Sequence, residues 1–286
     1  MHPQSWTAVI PCAGLGTRFL PVTKTVPKEL LPLVTKPTLQ YGVEEAFAAG
    51  VRRFVFVISP DKPNPAAHFL PNSQYQRLLT ERGKGKDLAE LNQLIASIEV
   101  VCVEQKKPLG LGHAVWVAKD AVCKDVAGKN PFLVLLPDVV MDGEIPCSLQ
   151  LMKIFEKTGG SVNATEHTPQ EFLSRFGVYA IEKSEGRLHW ASRVVEKPSL
   201  EEAPSDLTVV GRYLFTPEVF SILEKTAPGR GGEIQLADAM NTLAKIKKLY
   251  AYEFEGRSFD TGDPLGYVQA NIYFAQKIFG KEMLRV

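Results

Sequence analysis

Short apolar runs recur along this chain, separated by amphipathic segments, and that alternation constrains the fold more than any other feature. The runs Ala8–Ile10, Phe54–Ile58, Val100–Val103, Phe132–Leu136, Ser161–Ala164, Val178–Ile181, Thr208–Leu214 and Tyr250–Phe254 read as buried strands. The segments Tyr41–Ala49, Asp87–Ala96, His113–Asp120, Leu149–Lys157, Pro217–Glu224, Gln235–Ile246 and Pro264–Phe279 carry helical spacing. Apolar strands spaced by helices predict an α/β fold: a Rossmann-like, mostly parallel sheet flanked by helices, with a C-terminal helical extension. No linker, repeat or low-complexity tract divides the chain, so residues 1–286 are expected to form a single domain. The stretch from Asp61 to Lys86 reads as irregular, stiffened by Pro63, Pro65 and Pro71 and ending in a solvated Gly83-Lys84-Gly85-Lys86 tip.

Ligands in such sheets gather at the carboxyl ends of strands. That rule selects Gly14, Gln105 and Asp138 together, because each closely follows an apolar run. The formal net charge of +1 gives no whole-molecule field for nucleic acid or an anionic membrane, so any anion site must be a local cluster of cations. The N-terminus lacks the basic and apolar regions of a secretory signal, and no apolar run is long enough to span a bilayer. Cys12, Cys102, Cys123 and Cys147 form no C-x-x-C pair and read as reduced, mostly structural thiols, with Cys12 and Cys102 small hydrophobes in or beside strands. A cytoplasmic protein is expected.

The first strand opens into Ala13-Gly14-Leu15-Gly16-Thr17-Arg18, followed by Lys24, Pro27-Lys28-Glu29 and Lys36-Pro37. A glycine turn after a buried strand lets backbone N–H groups approach phosphate, and the trailing cations suit a polyanion such as a nucleoside triphosphate. The prolines keep this stretch a shaped loop. It is not the dinucleotide fingerprint, since Phe19 stands where a third glycine is required, and no G-K-[S/T] closes a Walker loop. An NAD-dependent oxidoreductase is thereby disfavoured. An ordinary glycine turn has the same local pattern, and it is the later blocks that separate the two readings.

Asp138 ends the run Phe132-Leu133-Val134-Leu135-Leu136-Pro137, where a carboxylate is costly unless paired or metal-bound. A helix cap or turn aspartate is the plain alternative. Asp260 lies in Phe259-Asp260-Thr261-Gly262-Asp263, ahead of a helix. Asp263 before Pro264 fits the cap better, which leaves Asp260 for a metal. Glu196-Lys197-Pro198 reads by itself as a salt-bridged strand end. Gln105, with Gly110 beyond it, offers an amide donor and acceptor suited to a base edge, or simply a strand-to-helix loop. His113 is expected to start or cap the next helix rather than titrate in catalysis.

Ala13-Gly14-Leu15-Gly16-Thr17-Arg18 with Pro27-Lys28-Glu29 resembles the signature of the sugar-nucleotide pyrophosphorylases, most closely the bacterial uridylyltransferases that use UTP and glucose 1-phosphate. Further blocks occur in family order: Gln105 to His113, Leu136 to Val140, Val195 to Pro198, Val210 to Phe215, Gly232 to Ala239 and Phe259 to Tyr267. Together they span nearly the whole chain. One departure is Cys12, where relatives usually carry a small aliphatic residue.

The resemblance implies the nucleotide-diphospho-sugar transferase fold and Mg²⁺-assisted attack of the sugar phosphate on the α-phosphorus of UTP. Arg18, Lys28 and Lys197 are the implied catalytic cations, and Asp138 and Asp260 the implied metal ligands. Ala13, Gly14, Gly16, Thr17, Gln105 and Gly110 are implied on the nucleotide, and Gly177, Glu196, Val209, Tyr213 and Glu233 on the sugar. Glu233 also has a structural reading as an acidic residue in a helix's first turn. A homodimer or homotetramer is implied, with no nucleic acid or membrane partner. The alternatives are a thymidylyltransferase or other nucleotide–sugar pairing, and a non-catalytic regulatory relative. Intact Arg18, Lys28 and Lys197 argue against the latter.

Overall fold

The computed structural model describes residues 6–124, 130–246 and 248–280. Strand β1 (Thr7–Pro11) ends at the glycine loop, and a hairpin of β2 (Pro32–Leu33) and β3 (Lys36–Pro37) leads into α1 (Thr38–Ala48). β4 (Arg53–Ile58), α2 (Ser73–Glu81), α3 (Ala89–Ser97) and β5 (Glu99–Glu104) follow. Next come α4 (Gly110–Val117), α5 (Lys119–Val122), β6 (Phe132–Leu135), β7 (Val139–Asp142) and α6 (Cys147–Thr158). β8 (Ser161–His167), β9 (Gly177–Glu185), β10 (Leu188–Glu196) and β11 (Leu207–Phe215) precede α7 (Glu218–Leu223) and α8 (Leu236–Lys245). β12 (Leu249–Glu253), β13 (Arg257–Asp260) and α9 (Pro264–Phe279) complete the described chain.

Among the described residues, nine strands form one sheet in the order β5-β4-β1-β6-β11-β8-β12-β10-β9. The expected helix-covered α/β sheet is present, and its N-terminal half, β5, β4, β1 and β6, is wholly parallel. The C-terminal half is mixed: β12 runs parallel to β8, whereas β11 and β10 run antiparallel to their neighbours. Parallel neighbours need crossovers, which the N-terminal helices supply; β9 and β10 are joined by a tight turn with Gly186 at φ +57°, and so pair as a hairpin.

Period-two alternation explains how one sheet supports two cores. Ala8, Ile10, Phe54, Phe56, Leu133 and Leu135 face one side, where Leu39, Val43 and Ala46 of α1 and Leu151 and Ile154 of α6 cover them. Val9, Val55, Val57, Phe132 and Val134 face the other side, against α4, α7 and α8. Ala8 pairs with Phe54 and Ile10 with Phe56, so like-facing residues share a register. Helix α9 packs elsewhere: Ala270 and Phe274 bury with Leu33 and Val140 over the two small two-stranded ribbons.

Four local expectations change. A helix, α2, lies inside the stretch read as irregular; Asn72 caps it by accepting from Tyr75 N–H, and Tyr75, Leu78 and Leu79 carry helical spacing, but the segment is short and mostly polar and the prolines before it masked the period. β10 carries no clean alternation because bulges interrupt its pairing with β9 between Trp190 and Arg193. Helix α4 starts at Gly110, which places His113 inside it. Cys102 is exposed, because β5 is the edge strand, and is no core hydrophobe; all four cysteines are unpaired.

Candidate active site

The parallel strands deliver three loops to one edge of the sheet, as the strand-end rule requires. After β1, the N–H groups of Ala13, Gly14, Leu15 and Gly16 find no protein acceptor among the described residues. A row of free backbone donors on a turn whose Gly16 sits at φ +67° is an anion cradle. Thr23 Oγ1 donates to Gly16 O at 2.9 Å and fixes the turn from behind. Ala13, Gly14, Gly16, Thr17, Arg18, Lys28, Gln105, Gly110, Asp138 and Glu233 line one cavity of about 480 Å³.

Gln105 follows β5. Its Nε2 lies 3.1 Å from Gly110 O, an obligate acceptor, and 2.9 Å from His113 Nδ1. The carbonyl sets the orientation of the amide, so His113 Nδ1 accepts and the imidazole is neutral. Oε1 of Gln105 is left without a protein donor among the described residues and remains available as a ligand acceptor. Gly110 has φ +91°, and a Cβ there would sit 2.8 Å from Glu233 Cβ, so only glycine permits this close packing. Ile234 N–H to Leu109 O (2.8 Å) and Gly112 N–H to Ile234 O (2.9 Å) lock the two loops together.

A second cavity of about 310 Å³ adjoins the first through Arg18, Leu111, Leu136 and Glu233. Gly177, Glu196, Lys197, Val209 and Tyr213 also line it. Hairpin register explains this grouping: Gly177 at the start of β9 lies opposite Glu196 at the end of β10. A Cβ on Gly177 would meet Glu196 Oε2 at 3.2 Å and Val209 Cγ2 at 3.3 Å, filling the cavity floor. Lys197 has φ +47°, a left-handed conformation costly for a non-glycine residue, which orients its backbone sharply out of β10. Glu196 is pushed up chiefly by burial, with the Lys197 ammonium opposing from 3.9 Å. Glu233 lies ahead of α8, whose cap is Gln235; the first-turn, helix-dipole reading is thereby corrected, and its exposed side chain faces both cavities.

Asp138 and Asp260 are brought together by the ribbon of β7 and β13, in which Asp260 pairs with Val139. A Cβ built on Gly262 would lie 2.8 Å from Asp138 Oδ2 and 2.9 Å from Asp260 Oδ1, so both carboxylates converge on one point. Lys28 donates to Asp138 Oδ2. Burial alone would raise the Asp138 carboxyl, but the Lys28 ammonium and its hydrogen bond outweigh it and hold it below its ordinary range. Asp260 is shifted upward by burial and by Asp138 and Asp263, against a hydrogen bond from Gly262 N–H (2.9 Å) and Arg175. Asp263 is the α9 cap, accepting from Leu265 and Gly266 N–H with Pro264 next in line, as expected. A third cavity of about 480 Å³, sharing Arg18, Leu136 and Asp138 with the first, lies over Asp260 and Arg175.

A profile of the nucleotidyl transferase family matches residues 7–277. The chain belongs to the nucleotidyl transferase family. It is 43% identical over 270 residues to the UTP–glucose-1-phosphate uridylyltransferase of Bacillus subtilis, covering 94% of this chain and 91% of that one. It superposes with a TM-score of 0.85 on a UDP-glucose pyrophosphorylase complexed with UDP-glucose, at 36% identity over 96% of this chain and 99% of the other. The UTP-bound enzyme of Acinetobacter baumannii gives a TM-score of 0.87 at 34% identity, with 98% of each chain covered.

For a nucleotidyl transferase, every residue selected from the sequence lines one of three contiguous cavities, and Arg18 lines all of them. Arg18 is itself held by donation to Gly262 O at 3.0 Å. Sequence reasoning missed Arg175, whose guanidinium contacts Asp260 Oδ2 at 3.3 Å and also pairs with Asp263. It missed Arg212, fully buried on β11, which donates to Val139 O (2.8 Å) and Leu136 O (3.2 Å) and so brackets Asp138. Arg175 stands in no motif, and Arg212 lies in the Val210 to Phe215 block but was given no role there. Arg212 within the run Val209 to Phe215 was the one visible signal, since a charge in a buried strand demands a partner.

Proposed function

We propose that the chain transfers the uridylyl group of UTP to α-D-glucose 1-phosphate, forming UDP-glucose and releasing diphosphate. The observation that carries this is the set of free Ala13 to Gly16 N–H donors, which adjoins the converging Asp138 and Asp260 carboxylates and opens on the Glu196–Lys197 cavity. Relatives named for this reaction, matched over 94% of the chain, support it.

The nucleophile is a sugar-phosphate oxygen already anionic at neutral pH. It attacks the α-phosphorus in line, its bond forms as the α–β bridging bond breaks, and diphosphate leaves with the electron pair. No protein nucleophile or base is required, so catalysis rests on positioning and charge. The loop donors with Arg18, Thr17 and Lys28 hold the triphosphate and stabilise departing diphosphate. Gln105 Oε1 accepts from uracil N3–H beside Gly110. Lys197 draws in the sugar phosphate, Glu196 and Glu233 accept from sugar hydroxyls, and Gly177, Val209 and Tyr213 shape the wall.

Two carboxylates with no third His, Cys, Asp or Glu grouped with them among the described residues fit Mg²⁺, which takes one or two protein carboxylates plus substrate phosphates. Asp138 and Asp260 would hold it. When bound, the ion supplies positive charge at the α-phosphate. Lys28 and Arg175 pair with the same carboxylates.

A single nucleotidyltransferase domain is supported by one sheet that runs from β1 to β12. We place it in the cytoplasm, as four unpaired cysteines support; among the described residues no helix is long and apolar enough to cross a membrane. Exposed Leu265, Val268 and Ile272 on α9 support self-association as a homodimer or homotetramer.

The test is diphosphate release with glucose 1-phosphate and Mg²⁺, comparing UTP with dTTP, with EDTA as control. Strong, EDTA-sensitive release with UTP is expected. Preference for dTTP would retain the mechanism and replace the substrate, a choice worth only about 1–3 kcal/mol for one methyl group. No release from a folded protein that binds UDP-glucose would favour the regulatory reading.

A further inference from the structure

Lys62 lies behind the glycine loop, on the segment after β4, and lines none of the three cavities. Its Nζ donates to Gly14 O at 2.7 Å and stands 3.2 Å from both carboxylate oxygens of Glu29. Glu29 is fully buried, and its neighbour Lys28 reaches forward to Asp138. Lys62, Glu29, Lys28 and Asp138 therefore alternate in charge from the back of the loop to its front. A buried carboxylate is costly without a partner, so Glu29 holds the Lys62 ammonium where it meets Gly14.

The Gly14–Leu15 peptide is trans, since the only cis bond among the described residues is Leu20–Pro21. In a trans peptide the C=O and N–H point in opposite directions. With its carbonyl turned back onto Lys62, the peptide presents Leu15 N–H to the side that Leu15 lines, the cleft.

We propose that Lys62 is a positioning residue for the nucleotide: through Gly14 O it presets the Gly14–Leu15 peptide so that the loop donors face the triphosphate before it binds. The inference rests on the reading of this cleft as a UTP site. Glu29 in the Pro27-Lys28-Glu29 block then serves as the anchor of Lys62 and not as a substrate contact.

The single variant Lys62→Met leaves Glu29 buried and unpaired, so the informative protein is Lys62→Met/Glu29→Gln, which removes both charges together. UTP binding is measured by calorimetry, and KM is measured separately for UTP and glucose 1-phosphate. Wild-type protein binding UTP, with the double variant weakened by about tenfold or more and its glucose 1-phosphate KM within about twofold, is the expected result, being the weight of a misdirected charge-assisted donor. Unchanged UTP affinity in the double variant overturns the role of Lys62. Parallel loss for both substrates with a lowered unfolding midpoint also overturns it, by reducing Lys62 to scaffold. Wild-type protein that binds no UTP overturns the functional reading itself.

Discussion

The Lys28 ammonium donates to Oδ2 of Asp138 and ties the first block of the cleft to the strand end that begins its floor, 110 residues away in sequence. Each group answers the other's burial: both have little access to solvent, and each pKa is moved toward its charged form against desolvation. Asp138→Asn removes the charge while keeping the shape. The expected result is a fall in kcat/KM of about 100-fold or more, with a weaker apparent affinity for Mg²⁺ and an unaltered circular dichroism spectrum. A Mg²⁺ titration of the initial rate checks it, and an unchanged titration curve would remove Asp138 from the metal site.

Lys197 has φ +47°. Strain of this kind costs about 1–3 kcal/mol, persists only where the surrounding structure over-determines the position, and clusters at functional sites. Lys197→Ala should lower kcat/KM by orders of magnitude and retain the strain. Lys197→Gly should lose activity equally but unfold at the same or a higher denaturant concentration, because glycine tolerates that backbone. Wild-type turnover in either variant would sink the assignment of Lys197 to the sugar phosphate.

Burial holds the His113 imidazole below its ordinary value of 6.5. The unfolded chain thus takes up this proton at a higher pH than the folded one. Stability falls as pH drops from 6.5 toward the folded value, and the loss levels off below it. Protonation also puts a hydrogen on Nδ1, which can then no longer accept from the Gln105 amide. The KM for UTP should therefore rise on the acid side of 6.5 in wild-type protein. His113→Gln, which does not titrate, should show only the dependence due to the substrates' own phosphates. Coincident pH profiles for the two proteins would exclude His113 as the group.

Arg212 and Glu45 form a largely buried pair at 2.7 Å, with Glu45 Oε1 also accepting from Ser148 N–H at 2.7 Å. Truncating one partner strands the other charge, so Glu45→Ala should cost about 3–5 kcal/mol in urea unfolding. Arg212→Met/Glu45→Leu should recover most of that loss. It should also remain impaired in turnover, because the carbonyls of Leu136 and Val139 lose the donor that frames Asp138. A double variant as unstable as the single one would contradict this account.

Much of the site was legible in the chain. Apolar runs ending in Gly14, Gln105 and Asp138 mark strand ends, and parallel strands must place such ends on one edge. Asp263 with Pro264 reads as a cap from local chemistry alone, and so it is. β10 was not legible because a bulged strand loses the alternation that reveals buried elements, and α2 was missed because its Tyr75, Leu78 and Leu79 spacing is short and set in a polar, proline-flanked stretch.

Local spacing by itself determined which segments become strands, which helices, and which residues carry charge beside a glycine turn, because these depend on near neighbours. Tertiary structure alone decided that Asp260 meets Asp138, that Gly177 faces Glu196, and that Lys62 and Arg212 brace loops far from them in sequence. Those outcomes depend on strand register and on pairing buried charges, and register is set only when distant faces pack together.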